Sequence, residues 1–280
     1  NNTKLSSLTV TDNSLLTNLD LSKNVLLTII NCSNNALNSL NVVSNTLLLT
    51  LNCAENQIKS LNISSNSALT TLICNDNDLT GLYFGSNTAI EFLNISSNQF
   101  SEIDLTSLVY LEVINGSSNI LTDLNLSSNI ALTNVDFDSN NLNTLNIKNA
   151  ANITIVAFNA VNNPNLTCIE VSDPTFSNSA AGWFKDAGSE YLIDCHYGEF
   201  YVPDDAFEQA LIYLGYDSGA LDNYVPNGTI SSVASLALNN KNISDFTGIE
   251  KFTSLVTLDC RNNTLTSIDL SSNLLLENLK

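Results

Sequence analysis

The sequence predicts a β-rich solenoid in which each 21-residue coil contributes two short parallel strands. The first observation is a repeat, because Leu48 and Cys53 are followed 21 residues later by Leu69 and Cys74. The second is a fainter half-repeat between these copies, at residues 58–66, with the spacing L-x-x-L-x-L-x-x-N. The third is the period-2 alternation of apolar and polar residues inside each half, which is typical of strands. No such coil can bury its leucines alone, so the fold depends on stacking of neighbouring coils.

Composition and charge narrow the range of partners. The chain has 280 residues, of which 44% are hydrophobic and 13% charged, and its formal net charge is -19. Only nine Lys and Arg residues are present. Because phosphate binding requires clustered basic side chains, nucleic acid and anionic membrane surfaces are not expected partners. No apolar run approaches the roughly 18 residues of a membrane helix, so direct membrane insertion is not expected either.

The first array of repeats is assigned to residues 1–171. In its longer half-repeat, the first leucine position recurs at Leu27, Leu48, Leu69, Ile90, Leu111, Leu132 and Ile153. A column of asparagines closes this half at Asn13, Asn35, Asn56, Asn77, Asn98, Asn119 and Asn140. Their side-chain amides are predicted to satisfy turn backbone groups in their own coil and the next. Val161 interrupts the column, which predicts an irregular turn there.

A capping segment is assigned to residues 172–200, where the leucine periodicity disappears. Its aromatic residues are Phe176, Trp183, Phe184 and Tyr191, set among Ser, Ala and Gly. This composition favours a cover over the apolar end of the solenoid. For Trp183 the alternative is a ring that stacks on a sugar.

A second array follows the cap. Residues 204–214 carry apolar side chains on one helical face, with Gly215 where a helix would stop. This segment is the one helix the sequence predicts with clarity, and residues 201–232 are assigned as the N-terminal cap of the second array. The repeat restarts over residues 233–280. Both ends of the chain fall within a repeat, so we expect it to be a piece of a larger protein.

The six cysteines divide into two groups. Cys32, Cys53, Cys74 and Cys260 occupy an apolar position of the longer half-repeat, where a buried thiol acts as a small hydrophobe, and they are predicted to stay reduced. Cys168 and Cys195 stand outside the repeat and bracket the capping segment, so we predict a disulfide between them. Such a bond implies an oxidising compartment. A zinc site is not expected, since the chain has no C-x-x-C motif and a single histidine.

No residue pattern indicates catalysis, so the chain is not expected to be an enzyme or to hold a cofactor. His196 has no neighbouring nucleophile motif and is interpreted as a solvated linker residue. Asp204 and Asp205 lie at the predicted helix start, where carboxylates favour the helix dipole. Residues 217–228 offer oxygen atoms from Asp217, Asp222 and Asn223 to calcium, but they lack the full calcium-loop pattern.

The outward positions of the longer-half strands are the candidate binding surface. Apolar and amide side chains alternate there, in contrast to the polar outward positions of the shorter half. The candidate residues are Ile29, Asn31, Asn52, Ile73, Phe92, Asn94, Val113, Asn115, Asp136 and Ile155. An exposed apolar stripe with polar flanks is typical of a binding surface. The alternative is that β-branched residues occur here because they favour strands.

The repeats over residues 5–171 and 233–280 resemble the leucine-rich repeat family, in its short 21-residue class with nested half-repeats. NPNLTCIEVSDP and YVPDDAFEQALIYLGYDS resemble, more narrowly, secreted or cell-surface members from Bacteroidetes-group bacteria. The resemblance implies an extracellular recognition or adhesion module with a protein or polysaccharide partner. The alternative function is a structural spacer that associates end to end with further repeat domains or other copies.

Overall fold

The computed structural model describes residues 2–85, 87–149, 154–228 and 230–280. The chain forms two compact units, Asn1–Cys195 and His196–Lys280. The predicted boundaries of arrays and caps inside these units stay predictions.

Short strands dominate the first unit. In chain order they are β1 (Ser7–Thr9), β2 (Ile29–Asn31), β3 (Thr50–Asn52), β4 (Leu61–Asn62), β5 (Thr71–Ile73), β6 (Leu82–Tyr83), β7 (Phe92–Asn94), β8 (Val113–Asn115), β9 (Asp123–Asn125), β10 (Asn134–Asp136), β11 (Thr144–Asn146), β12 (Ala157–Ala160), β13 (Cys168–Glu170), β14 (Trp183–Lys185) and β15 (Glu190–Leu192). One helix, α1, spans Pro174–Ser179.

The longer half-repeats build one parallel sheet of nine strands, in the order β1-β2-β3-β5-β7-β8-β10-β12-β14. The shorter half-repeats build two smaller parallel sheets, β4-β6 and β15-β13-β11-β9. From β2 to β10, neighbours in the large sheet pair 21 residues apart, as Leu51 with Leu72. The predicted β-rich solenoid is therefore confirmed.

Apolar side chains between the sheets form one continuous core. The middle residues of the nine-stranded sheet point inward, and Leu51, Leu72 and Leu93 are fully buried.

The asparagine column satisfies turn backbone groups as predicted, with one correction. Asn77, for example, donates from Nδ2 to the carbonyl oxygens of Cys74 (3.2 Å) and Cys53 (3.0 Å). Its Oδ1 accepts from the amide of Ile58 at 2.9 Å. The neighbouring coil it bonds is thus the preceding one, whereas the next was expected.

A two-residue insertion shifts the register between β10 and β12. Val135 pairs with Phe158, 23 residues later. As a result, Ile155 takes the place of Leu132 in the core and is only 1% exposed, so its prediction as an outward residue is wrong. Ile153, which the 21-residue spacing placed there, lies outside the described residues. Asn163 continues the asparagine column, with Nδ2 donating to the carbonyl oxygens of Phe137 and Ala160. The irregular turn expected at Val161 is therefore replaced by a shifted regular one.

The capping segment closes the end of the core with aromatic rings. Trp183 is buried, its ring centroid lies 4.9 Å from that of Phe158, and its Nε1 donates to the carbonyl oxygen of Ile155 at 3.0 Å. The ring is therefore unavailable for sugar stacking. The predicted disulfide between Cys168 and Cys195 is present, with 5.8 Å between the Cα atoms, and it ties this segment to β13.

The second unit begins with a small cap and continues as a solenoid. Its elements are β16 (Glu199–Tyr201), α2 (Asp205–Tyr213), β17 (Tyr224–Pro226), β18 (Ser235–Ala237), β19 (Thr257–Asp259) and β20 (Asn278–Leu279), with 3-10 turns at Ile230–Ser232 and Ile249–Lys251. β16 and β17 are antiparallel, and β18-β19-β20 form a parallel sheet. Asp204 caps α2 by accepting from the amide of Phe207 at 2.9 Å.

One polar residue of this unit differs from expectation. His196 is not a solvated linker residue, because its ring stacks on Tyr224 at 3.5 Å and its Nδ1 lies 2.8 Å from Glu199 Oε2.

The loop of residues 217–228 is held by Glu208, which is fully buried and accepts from the amides of Asp222 (2.8 Å) and Asn223 (3.0 Å). Within the described ranges, no group of three or more acidic, His or Cys side chains is placed to hold a metal ion.

Candidate binding surface

Two columns of side chains cover the outer face of the nine-stranded sheet, because the residues on either side of each buried middle residue point outward. The first column consists of Ser7, Ile29, Thr50, Thr71, Phe92, Val113, Asn134 and Ala157. The second consists of Thr9, Asn31, Asn52, Ile73, Asn94, Asn115, Asp136, Asn159 and Phe184. All predicted candidates except Ile155 therefore lie on one face.

Polar members of the second column form hydrogen bonds within their own turns, a structural role that the sequence did not lead us to expect. Asn94 Oδ1 accepts from the amide of Ser96 at 3.1 Å and from its hydroxyl at 2.8 Å. Asn115 makes the same pair of bonds to Ser117, at 3.0 and 2.7 Å. Such Asx turns end the strand and start the bend. The N-x-S spacing at residues 31–33, 94–96 and 115–117 was the signal that indicated them.

Two of the apolar candidates, Phe92 and Val113, lie in one depression of about 390 Å³. It spans the C-terminal strands β7, β8, β10, β12 and β14. Its outward-facing lining consists of Phe92, Asn94, Val113, Asn115, Asn134, Asp136, Ala157, Asn159, Gly182 and Phe184. Ile29, Asn31, Asn52 and Ile73 belong to the N-terminal strands of the same face and do not line it.

The hollow arises from small residues between larger ones. Ala157 and Gly182 leave space, while Phe92 and Val113 bound it on one side and Phe184 on the other. Gly182 has a φ of +127°, and a Cβ there would lie 3.0 Å from the carbonyl oxygen of Val156. Both the backbone conformation and the close approach of this strand therefore require glycine.

Phe184 is the main residue that the sequence reasoning missed. It had been grouped with the aromatic residues that cover the core, but its side chain is 59% exposed. Because Trp183 pairs with Phe158 and points inward, strand alternation turns Phe184 outward. The signal was present in the W-F-K sequence, but it required the knowledge that this segment adds a ninth strand.

Acidic groups lie within the depression and next to two of its lining residues. Asp136 lies within it, where burial raises the pKa of its carboxyl group. Glu91 and Glu112 are exposed and directly precede Phe92 and Val113. The surface thus combines apolar side chains with acidic groups.

A larger depression, of about 900 Å³, lies on the shorter-half side of the first unit. Tyr83, Glu102, Asp104 and Asp123 contribute to its lining, and Tyr83 is 64% exposed. None of the predicted site residues lines it. Asp104 is engaged locally, since it accepts from the hydroxyl of Thr106 at 2.6 Å. Size alone therefore does not make it the better candidate.

The core behind the N-terminal strands contains a stack of thiols. Cys32, Cys53 and Cys74 are free and fully buried in consecutive coils. Burial raises the pKa of Cys32 and of Cys74 to about 12. These thiols are therefore protonated at neutral pH and act as core residues, as expected. Cys260, in the second unit, is also free but only half-buried.

Comparison with known structures identifies the fold class. The chain is similar to the solved functional domain of InlJ from Listeria monocytogenes, which includes a cysteine ladder, with a TM-score of 0.52 and 23% identity over 99% of this chain and 48% of that one. It is also similar to the plant peptide hormone receptor RGFR1 in complex with RGF2, with a TM-score of 0.52 and 15% identity over 99% of this chain and 47% of that one. The fold is therefore a leucine-rich repeat solenoid.

Sequence similarity is more limited. Internalin J from Listeria monocytogenes serotype 4b (strain F2365) is 36% identical over 73 residues, which is 26% of this chain and 8% of that protein. No family model matches the chain. The chain spans about half of the InlJ structure and a small part of the curated relative. The narrower resemblance to proteins of Bacteroidetes-group bacteria stays a prediction.

The described part of the chain has no helix with the length and apolar character needed to cross a membrane.

Proposed function

We propose that the chain is a protein-binding module and that its partner contacts the outer face of the nine-stranded sheet at the C-terminal depression. The observation that carries this proposal is the apolar hollow between Phe92, Val113 and Phe184 on a sheet face that is otherwise mainly polar. Apolar surface with a polar border is typical of sites that bind other proteins.

The shape of the hollow supports a protein or peptide ligand. Five adjacent strands at about 4.8 Å spacing make the depression roughly 19 Å wide, which matches an extended segment of about six residues. Phe92 and Phe184 at its two sides provide the aromatic contact area that interface centres favour.

Structural neighbours support the same class of partner. RGFR1 is in complex with RGF2. The leucine-rich repeat ectodomain of GASSHO1/SCHENGEN3 from Arabidopsis thaliana, in complex with Casparian strip integrity factor 2, has a TM-score of 0.50 and 16% identity over 99% of this chain and 29% of that one. At this identity the likeness concerns the fold, and the ligand class is our extension of it.

The proposal includes a non-catalytic, extracellular role. Leucine-rich repeat solenoids typically serve as binding scaffolds, which supports the first part. The disulfide between Cys168 and Cys195 supports the second, because such bonds persist in oxidising compartments. Adhesion to a surface protein fits both.

The test is a peptide-display selection against the folded chain, followed by affinity measurements on the selected peptides. The key variant combines Phe92→Ser with Val113→Ser, which removes two apolar side chains from the depression. The matched control is Ile29→Ser, the same column in β2, where the side chain is 44% exposed. We expect selected peptides to lose at least about tenfold in affinity on the double variant, since two partly buried apolar contacts are removed, and to bind the control unchanged.

Circular dichroism and thermal unfolding check that both variants stay folded. Peptides that bind the folded double variant as well as the original chain would rule out this face as the binding surface. A selection without binders, combined with binding of polysaccharide on a glycan array or with end-to-end association in light scattering, would favour the polysaccharide or spacer alternatives.

A further inference from the structure

We infer that the segment bound in the depression is cationic, with Lys or Arg side chains next to the apolar side chain that fills the hollow. This inference rests on the proposed function and adds the chemistry of the partner. It comes from the charge pattern of the sheet face, where acidic residues lie within or directly before the strands in the C-terminal half and only beyond the strand ends in the N-terminal half.

Asp136 carries a charge, whereas the other members of the second column are uncharged. Its Oδ1 accepts from the amide of Asp138 at 3.2 Å. The corresponding amide oxygens of Asn52, Asn94 and Asn115 make the same turn at 3.1, 3.1 and 3.0 Å. Asparagine therefore serves the turn equally well, and it carries no charge.

The carboxylate at this position has an unfavourable setting. Partial burial raises the pKa of Asp136 most and outweighs the hydrogen bonds from the Asp138 amide and the Asn159 side chain, which favour the ionised form. The charge of Asp138 adds to the effect of burial. A position that departs from its column and lowers stability is expected where function requires the departure. A cationic side chain from a partner would supply the counter-charge that the chain itself does not place there.

The flanking positions repeat this pattern. Directly before the strands, the N-terminal half has Ser6, Thr28, Leu49 and Thr70, whereas β7 and β8 are preceded by Glu91 and Glu112. Further acids, Asp12, Glu55 and Asp76, occupy left-handed turn positions beyond the N-terminal strands, outside the two columns. Acidic groups next to the sheet face are thus concentrated where the hollow lies.

The basic residue next to Phe184 does not neutralise this region. Lys185 directly follows Phe184, but its Nζ donates to the carbonyl oxygen of Ser189 and lies 5.3 Å from the ring centroid of Tyr191. The positive charge of Lys185 therefore lies against the capping segment. Opposite charge on a partner would speed association and fix the orientation of the bound segment.

The experiment compares three baits in the display selection: the original chain, Asp136→Asn and Asp76→Asn. Asp76 has a φ of +52° in a turn of the N-terminal half, where asparagine is also tolerated. Both variants therefore remove one negative charge with little change in shape. Only peptides that lose binding to the Phe92→Ser, Val113→Ser variant are counted, because a chain of net charge -19 attracts basic peptides non-specifically.

We expect the counted peptides to be enriched in Lys and Arg with the original chain and with Asp76→Asn, and to lose this enrichment with Asp136→Asn. For one selected peptide, Asp136→Asn is expected to weaken binding about three- to tenfold in low salt, in line with a partly desolvated ion pair. The difference should shrink in about 0.5 M salt, because screening weakens the ion pair.

The outcomes separate the two proposals. Face-dependent peptides without excess Lys or Arg, or with equal enrichment on Asp136→Asn, would overturn the cationic partner and leave the binding surface intact. If no peptide depends on Phe92 and Val113, the proposed function fails and the inference fails with it.

Discussion

The N-terminal and C-terminal halves of the nine-stranded sheet share one backbone pattern and differ in what they present. Strands β1, β2, β3 and β5 present Ser, Thr, Asn and two isoleucines on this face. Strands β7, β8, β10, β12 and β14 form a hollow of about 390 Å³ with Phe92 and Phe184 at its sides and Asp136 inside. The repeat therefore determines the scaffold, and side chains outside the repeat consensus determine the site.

The difference continues into the core behind the face. At the third apolar position, the N-terminal half has Cys32, Cys53 and Cys74, whereas the C-terminal half has Gly116 and Phe137 in succession. A Cβ on Gly116 would lie 2.2 Å from Phe137 Cε1. The large ring thus occupies the space that the preceding coil leaves empty.

The largest expected effect concerns the disulfide that holds the capping segment next to the C-terminal half. Replacing Cys168 and Cys195 together by Ser should destabilise the first unit by about 3 to 4 kcal/mol, by the chain-entropy model for a loop of this length. Because the bond ties the cap to the sheets, hydrogen exchange measured by mass spectrometry should speed up in β14 and β15 and stay slow in β2 and β3. Equal loss of protection in both halves would show that the cap stabilises the solenoid as a whole.

The next effect concerns the packing of Gly116 on Phe137. Gly116→Val should lower the free energy of unfolding by about 2 kcal/mol, because the added methyl groups overlap the ring. Cys53→Val, at the same position in the N-terminal half, should cost less than about 1 kcal/mol, as a near-isosteric exchange. Urea unfolding measures both. Adding Phe137→Leu to Gly116→Val should restore part of the loss, and a failure to do so would contradict the paired packing.

The smallest effect concerns Asp136. Since the folded state raises the pKa of this carboxyl group, ionisation lowers stability as pH rises through the folded-state pKa. Asp136→Asn should therefore be more stable at pH 7 by a few tenths of a kcal/mol after solvent screening. The gain should vanish below the unfolded-state pKa, where both proteins are uncharged at this position. Thermal unfolding across this pH range measures it, and a variant less stable at pH 7 would contradict the assigned environment.

The sequence predicted the scaffold well because repeat spacing reports directly on stacking. Leucine and asparagine columns indicated the coils, and the position of Cys168 and Cys195 outside the repeat indicated the disulfide. The candidate face was also indicated, since period-2 alternation separates inward from outward residues.

The site itself was less predictable, for two physical reasons. A two-residue insertion before Ile155 changed which residues point inward, and a fixed 21-residue spacing gives no sign of it. Phe184 acts together with residues of four other strands, and its position depends on the cap adding a strand to the sheet. Neither effect is a property of one repeat, so each appears only when the coils are assembled.

The proposed site is tested most directly by adding one large side chain at two places in the same surface column. Ala157→Leu fills the hollow, whereas Thr71→Leu adds the same side chain to the N-terminal half. For a peptide selected on the original chain, we expect Ala157→Leu to abolish measurable binding and Thr71→Leu to leave the dissociation constant unchanged. Unchanged binding to a folded Ala157→Leu variant would contradict the assignment of the depression as the binding site.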